Sequence, residues 1–253
     1  MNQLKQTTFA IAVLLTLSGI QVQAQSIPTG LSANSPIVFN DATPPSTGQP
    51  GRRSDAGSRG CGESESASDS EPKPLLALVP AQETAQKPAS STVVFGRTVA
   101  ASPTFWFYLP HRSSLTATFV LQDQDGSPLY QSDVAVPKTA GILSVTLPAT
   151  VAPLATGKRY HWFFKLYCRS LSPPDSFVDG WIQREALTSD LTQRLKNATL
   201  SQQVRLYAAN GFWFDALTTA AALRRTTASD SSWAELLKAI GLETLATEAI
   251  ATP

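Results

Sequence analysis

Few residues in this chain have the type and spacing that chemistry needs. The sequence holds two histidines, His111 and His161, and two cysteines, Cys61 and Cys168. A Ser-His-Asp set drawn around His111 has no Gly-x-Ser-x-Gly elbow to present its nucleophile at a strand-to-helix turn. His161 falls on an expected strand among aromatic residues, where a strand-surface role fits better than ligation. Cys168 ends an apolar strand pattern, and burial there would keep its thiol from acting as a nucleophile. Asp123, Asp125, Asp175 and Asp179 all lie near expected turns. Asp123-Gln-Asp-Gly126 begins like a calcium loop but lacks the remaining ligands and the terminal Glu, so we read it as a turn with Gly126 at positive φ. No phosphate loop or dinucleotide fingerprint occurs. The expectation is therefore no catalytic residue, no metal site and no cofactor.

Aromatic residues are the stronger signal. Residues 75–185 hold 14 of the 21 in the chain. In Thr104-Phe-Trp-Phe-Tyr-Leu109 the strand period puts Phe105, Phe107 and Leu109 on one face and Trp106 and Tyr108 on the other. If both faces are covered, this is a central strand under a helical region. If one is open, Trp106 and Tyr108 form an aromatic platform of the kind that binds sugars or peptides, and Trp181 poses the same choice. Trp106, Tyr108 and Trp181 are the candidate binding residues.

The elements that would position these residues fall into four segments. Residues 1–24 have the form of a secretory signal: Lys5, a largely apolar run from Phe9 to Ile20 too short to span a bilayer, and small residues before a cleavage point after Ala24. Without Lys5, 19 basic residues balance 19 acidic ones. A neutral chain lacks the basic surplus that nucleic acid demands and gives no support for adhesion to anionic lipid. With 42% apolar residues it can bury a core, and no later segment is long and apolar enough to cross a membrane once the leader is removed. The expected location is periplasmic or secreted. In that oxidising setting Cys61 and Cys168 are expected to form one disulfide, closing a long loop.

Residues 25–74 are rich in Pro, Gly and Ser and are expected to be an exposed, extended arm. Ile37-Val-Phe39 is its one apolar cluster, a short edge strand at most, and Arg52, Arg53 and Arg59 suit a solvated linker. Residues 75–185 show short apolar runs bounded by turn residues. Strands are expected at 75–79, 92–98, 104–109, 115–122, 128–136, 142–147, 159–168 and 177–184. Tyr160, Trp162, Phe164, Leu166 and Cys168 share one face, with His161, Phe163, Lys165 and Tyr167 on the other, where the helical region would cover Phe163 and Tyr167. Residues 186–253 change to helical period, with Ser189 and Asp230 or Ser231 as caps and Trp213, Leu217, Ala220 and Leu223 as one apolar face. The expected fold is α+β: an immunoglobulin-like antiparallel β-sandwich followed by a small C-terminal helical region. Leu154 and Tyr160 resemble the core leucine and the corner tyrosine of such sandwiches.

Several motifs in order carry a family resemblance. They are Gly48-Gln-Pro-Gly-Arg-Arg53 with Arg59-Gly-Cys61, Leu76-Ala-Leu-Val-Pro80, Pro103 to Pro110, Phe119-Val-Leu-Gln-Asp123, Gly141 to Pro148, Tyr160 to Cys168, and Val178-Asp-Gly-Trp-Ile-Gln-Arg184. With them the chain resembles a secreted, mainly cyanobacterial family known as domain of unknown function 928. The resemblance implies export and a sandwich-plus-helices layout, and it implies no activity. The expected role is a non-enzymatic exported binding or assembly module of the cell envelope, with an envelope protein or polysaccharide as partner. The alternatives are a hydrolase with a site in the sandwich–helix cleft and a structural subunit of a larger envelope complex.

Overall fold

A computed structural model describes residues 36–41, 50–55, 73–84, 91–110, 116–167 and 173–251. Cys61, Cys168, His111 and the leader lie outside the described residues, and with them the expected disulfide.

Nine strands run in chain order among the described residues: β1 (Leu76–Ala77), β2 (Ala81–Thr84), β3 (Ser91–Thr98), β4 (Thr104–Leu109), β5 (Thr116–Asp123), β6 (Pro128–Val134), β7 (Gly141–Thr146), β8 (Arg159–Tyr167) and β9 (Ser176–Arg184). They make a six-stranded sheet in the order β2-β3-β9-β8-β5-β6 and a three-stranded sheet in the order β1-β4-β7. The expected all-antiparallel pairing needs correction, because β3 and β9 are parallel, with Phe95 opposite Trp181. After β3 the chain leaves for the other sheet. It comes back for β5 and β6, leaves again for β7, and returns for β8 and β9, so the β3–β9 pair joins strands separated by two excursions to the other sheet.

The strand period decides what each face buries. Along β8, Tyr160, Trp162, Phe164 and Leu166 are buried, while Arg159, His161, Phe163, Lys165 and Tyr167 are half-buried. The buried set faces β4 of the other sheet: the Phe107 ring stacks on Phe164 at 4.3 Å, and Phe105 lies 6.2 Å from Trp162. Gly180 sits opposite Trp162 on β9, and a side chain there would meet the Trp162 ring at 2.6 Å. Glycine is thus what lets the largest core ring approach the neighbouring strand.

Four helices follow: α1 (Ser189–Lys196), α2 (Leu200–Ala209), α3 (Trp213–Thr226) and α4 (Ser232–Ala239). Thr188, rather than Ser189, caps α1 by accepting the Leu191 N–H, and Thr199 and Gln202 form a capping box on α2. Trp213, Leu217, Ala220 and Leu223 form a buried face of α3. Trp213 donates its Nε1–H to the Leu78 carbonyl at 2.7 Å, and Phe214 meets Phe105 edge-on. α3 and α4 pack against Trp106 on the three-stranded sheet, and α3 also against Gly96 on β3, so the expectation that the helices lie over Phe163 and Tyr167 is corrected. The face bearing those two residues is the far side of the other sheet.

The arm also departs from expectation. Residues 37–39 form no strand; instead Phe39 packs against Trp213 at 4.9 Å and the Ile37 N–H donates to Glu235. Arg52 forms an antiparallel bridge with Asp179, and Arg53 donates to the Ile240 carbonyl at 2.8 Å. Burial pushes the Arg53 guanidinium below its ordinary pKa. Arg53 is thus a structural contact, while Arg52 pairs with β9 through its backbone and keeps an exposed side chain over the Phe177 ring.

Candidate binding surfaces and a buried acid

The three candidate aromatics occupy two places. Trp106 and Tyr108 are 3% and 5% exposed beneath the helices. Trp106 donates to the Thr218 hydroxyl at 3.1 Å and meets Trp233 edge-on, and Arg225 lies over its ring. Burial, and then the negative charge of Glu248, push the Tyr108 hydroxyl above its ordinary pKa. The central-strand arrangement is the one adopted, and no open platform exists at these two positions. The physical reason is that α3 lays Thr218 and α4 lays Trp233 against the outer face of β4.

Trp181 lies on the far face of the six-stranded sheet. It forms a small cluster with Val93 and Phe95, and its ring is stacked on His161 at 4.4 Å with an 11° tilt. His161 Nε2 lies 2.8 Å from Asp179 Oδ2, and the Arg52 N–H donates to Asp179 Oδ1 at 3.1 Å. Asp179 therefore holds the arm with one oxygen and orients the imidazole with the other. Sequence reading named both residues but did not pair them, because they sit on different strands. The pair lies on the sheet's far face, away from the sandwich–helix junction where a hydrolase site was expected.

That junction holds a different group. Asp215, in the first turn of α3, accepts the Val99 N–H at 3.0 Å beside a cavity of about 130 Å3 lined by Thr98, Ser102, Thr104, Tyr207 and Thr218. Burial raises its pKa from 3.8 to about 6, against the lowering effect of hydrogen bonds from Val99 and Thr98. The folded chain thus keeps a proton that the unfolded chain releases. Ionised Asp215 costs stability in full above about pH 6; the cost shrinks as pH falls and is gone below about pH 4. At 1.36 kcal/mol per pKa unit the separation is worth about 3 kcal/mol. Asp215→Asn, which keeps an oxygen for Val99, is expected to exceed the wild type in stability at pH 7 and to match it near pH 4. Urea melts at the two pH values check this, and an equal gap at both would refute it. Sequence reading missed Asp215; its only signal is a lone carboxylate within Phe212-Trp-Phe-Asp-Ala216.

A concave surface with an apolar lining lies at the end of the sandwich. A cleft of about 560 Å3 lies between the β5–β6 turn and the loop that leads into β8. Small-ligand pockets are clefts of about 300–1,000 Å3, and this one falls within that range. Buried Leu121, Leu154 and Tyr160 line it, together with Val151 and Pro153. Tyr160 fixes the loop by accepting the Ala155 N–H on its hydroxyl at 2.7 Å. The turn is the one expected: Gly126 has φ +84°, and Asp123 Oδ1 accepts the N–H groups of Asp125 and Ser127. Asp125 and Lys158 stand at the rim, and Leu129 beside them is 45% exposed. Leu129 is the extra residue of a bulge, since Leu121 pairs with Tyr130 and Gln122 with Pro128. Sequence reading identified the turn, the strand and Leu154 but not the cleft, which exists only where two loops converge. Among the described residues, no three His, Cys, Asp or Glu side chains gather as a metal site, and no helix is long and apolar enough to cross a membrane.

A model of the family Domain of Unknown Function (DUF928) matches residues 54–250. No curated protein matches the sequence.

Proposed function

We propose, from the premise that the chain belongs to the DUF928 family, that it is a non-enzymatic exported binding or assembly module of the cell envelope. Its partner is an envelope protein or polysaccharide. The observation that supports this reading is the cleft of about 560 Å3, with its apolar lining, charged rim and exposed Leu129. A concave surface with a largely apolar lining and a few polar groups around it is the kind that holds a ligand. Size-exclusion of the native extract tests it: the chain is expected to elute with a partner, and Ala152→Trp, which fills the cleft, is expected to release it. Elution of the wild type at its own mass would refute the reading.

Export, a cleaved leader, cyanobacterial origin and the Cys61–Cys168 disulfide belong to the same proposal, as does the immunoglobulin-like character of the sandwich. The last is supported by buried Leu154 and by the Tyr160 hydroxyl that takes a backbone N–H five residues upstream.

One observation favours a hydrolase as the second reading: the 2.8 Å contact between His161 and Asp179 could serve a general base. His161→Asn distinguishes the two. Loss of a hydrolytic activity with the fold intact would support the enzyme, and retained partner binding would support the module.

A further inference from the structure

The two sheets present different outer edges on the side of β6 and β7. The β7 edge is capped by the chain's own C-terminal segment: Ile142 donates to Ala249 and Ala251 donates to Ile142, both at 2.7 Å. The β6 edge has β5 as its only strand partner among the described residues. Pro128, Leu129, Gln131 and Asp133 on β6 are exposed. Beyond the bulge at Leu129, Tyr130 to Val134 run in regular register against Leu121 to Ala117. A regular open edge offers unpaired backbone donors and acceptors to another strand. Its head opens on the cleft, because Leu129 belongs to both.

We propose that β6 is the site where an extended segment of a partner protein adds as a further strand, with an apolar side chain in the cleft and a basic residue beside Asp133. This rests on the binding-module reading and identifies the partner as a protein at that same site. Strand addition uses main-chain bonds for affinity and a side-chain pocket for specificity, and this edge and cleft supply one of each. About five residues at ~3.4 Å each span from Leu129 to Asp133. Charge sets the occupant. Asp133 is the only charged residue on β6, and it points to the far face, where it accepts the Thr118 hydroxyl. At the cleft Asp123 and Asp125 are balanced by Lys158 and Arg159, so the charge preference rests on Asp133. A second copy of this chain fits poorly, since β6 carries no basic residue to answer Asp133. Centring two antiparallel copies on Gln131 would set each Asp133 against a Leu129.

The test uses the full chain and two soluble, tagged nine-residue peptides of alternating valine and serine, one with a central lysine and one with a central glutamate. The lysine peptide is expected to bind at least about fivefold more tightly. Asp133→Lys is expected to invert that preference, and Leu129→Ser to weaken the lysine peptide severalfold. Thermal melts confirm that both variants fold. Equal affinity for the two peptides, or binding of neither at millimolar concentration, would overturn the proposal. So would a wild-type dimer that Asp133→Lys dissociates. Size-exclusion of extracts separates the two levels of the reading. If the wild type and both variants all elute with a partner, the module reading stands and the β6 assignment falls. If the wild type elutes alone, the module reading itself falls.

Discussion

Trp162→Ala is expected to cost about 3–5 kcal/mol, while Lys165→Ala on the same strand costs no more than about 0.5 kcal/mol. Trp162 is fully buried, with Phe107 at 5.7 Å and Phe105 at 6.2 Å from its ring. Among the described residues its indole N–H has no hydrogen-bond partner, so the loss is mainly one of packing and apolar burial. The site cannot collapse to fill the gap, because the rings around it are held by two sheets and by Gly180. Lys165 is half-buried and lies over the Phe163 ring on the far face, where water can replace it. Urea melts of the two variants give the comparison. A larger loss for Lys165→Ala would mean that β8 is turned over and that the face assigned to the core is the exposed one. Gly180→Ala is a companion variant. Its new Cβ would sit 2.6 Å from Trp162 and 2.8 Å from the Val94 carbonyl, a backbone atom that cannot swing aside. Overpacking of this kind costs about 1–3 kcal/mol.

Trp213→Ala should be similarly damaging, at about 3–5 kcal/mol. Its side chain is fully buried, it receives Phe39 on one side, and it ties α3 to the Leu78 carbonyl. Trp213→Phe separates the two contributions. It keeps most of the ring but orphans Leu78, for which about 1–3 kcal/mol is expected. Because Trp213, Phe214 and Trp106 share one continuous core with the strands, helices and sheets should melt together in all of these variants. Far-UV circular dichroism and tryptophan fluorescence followed through one urea titration check this. Two separate transitions, with the helices lost first, would show that the helical layer is an independent unit.

The sequence by itself determined most of the elements, though not β2. Strand period at Tyr160, Trp162, Phe164 and Leu166 set the buried face of β8, since alternation is a local property of extended backbone. The Asp123-to-Gly126 turn was legible because the carboxylate and the glycine each act within four residues. The helical period of α3 located its apolar face in the same way. Tertiary structure decided what those faces meet. Whether Trp106 and Tyr108 were covered or open depended on where the helices pack, and a strand with two apolar faces fits either outcome. The parallel β3–β9 pair, the His161–Asp179 contact and the Arg52 bridge join residues from 18 to 127 positions apart. No local pattern encodes such pairings. Asp215 shows the same limit for chemistry: its raised pKa comes from burial between α3 and the β3–β4 loop, which composition does not reveal. The cleft and the open β6 edge depend likewise on which strand ends outermost and which loops converge. That is a matter of sheet order, and sheet order is set by the whole chain packing at once.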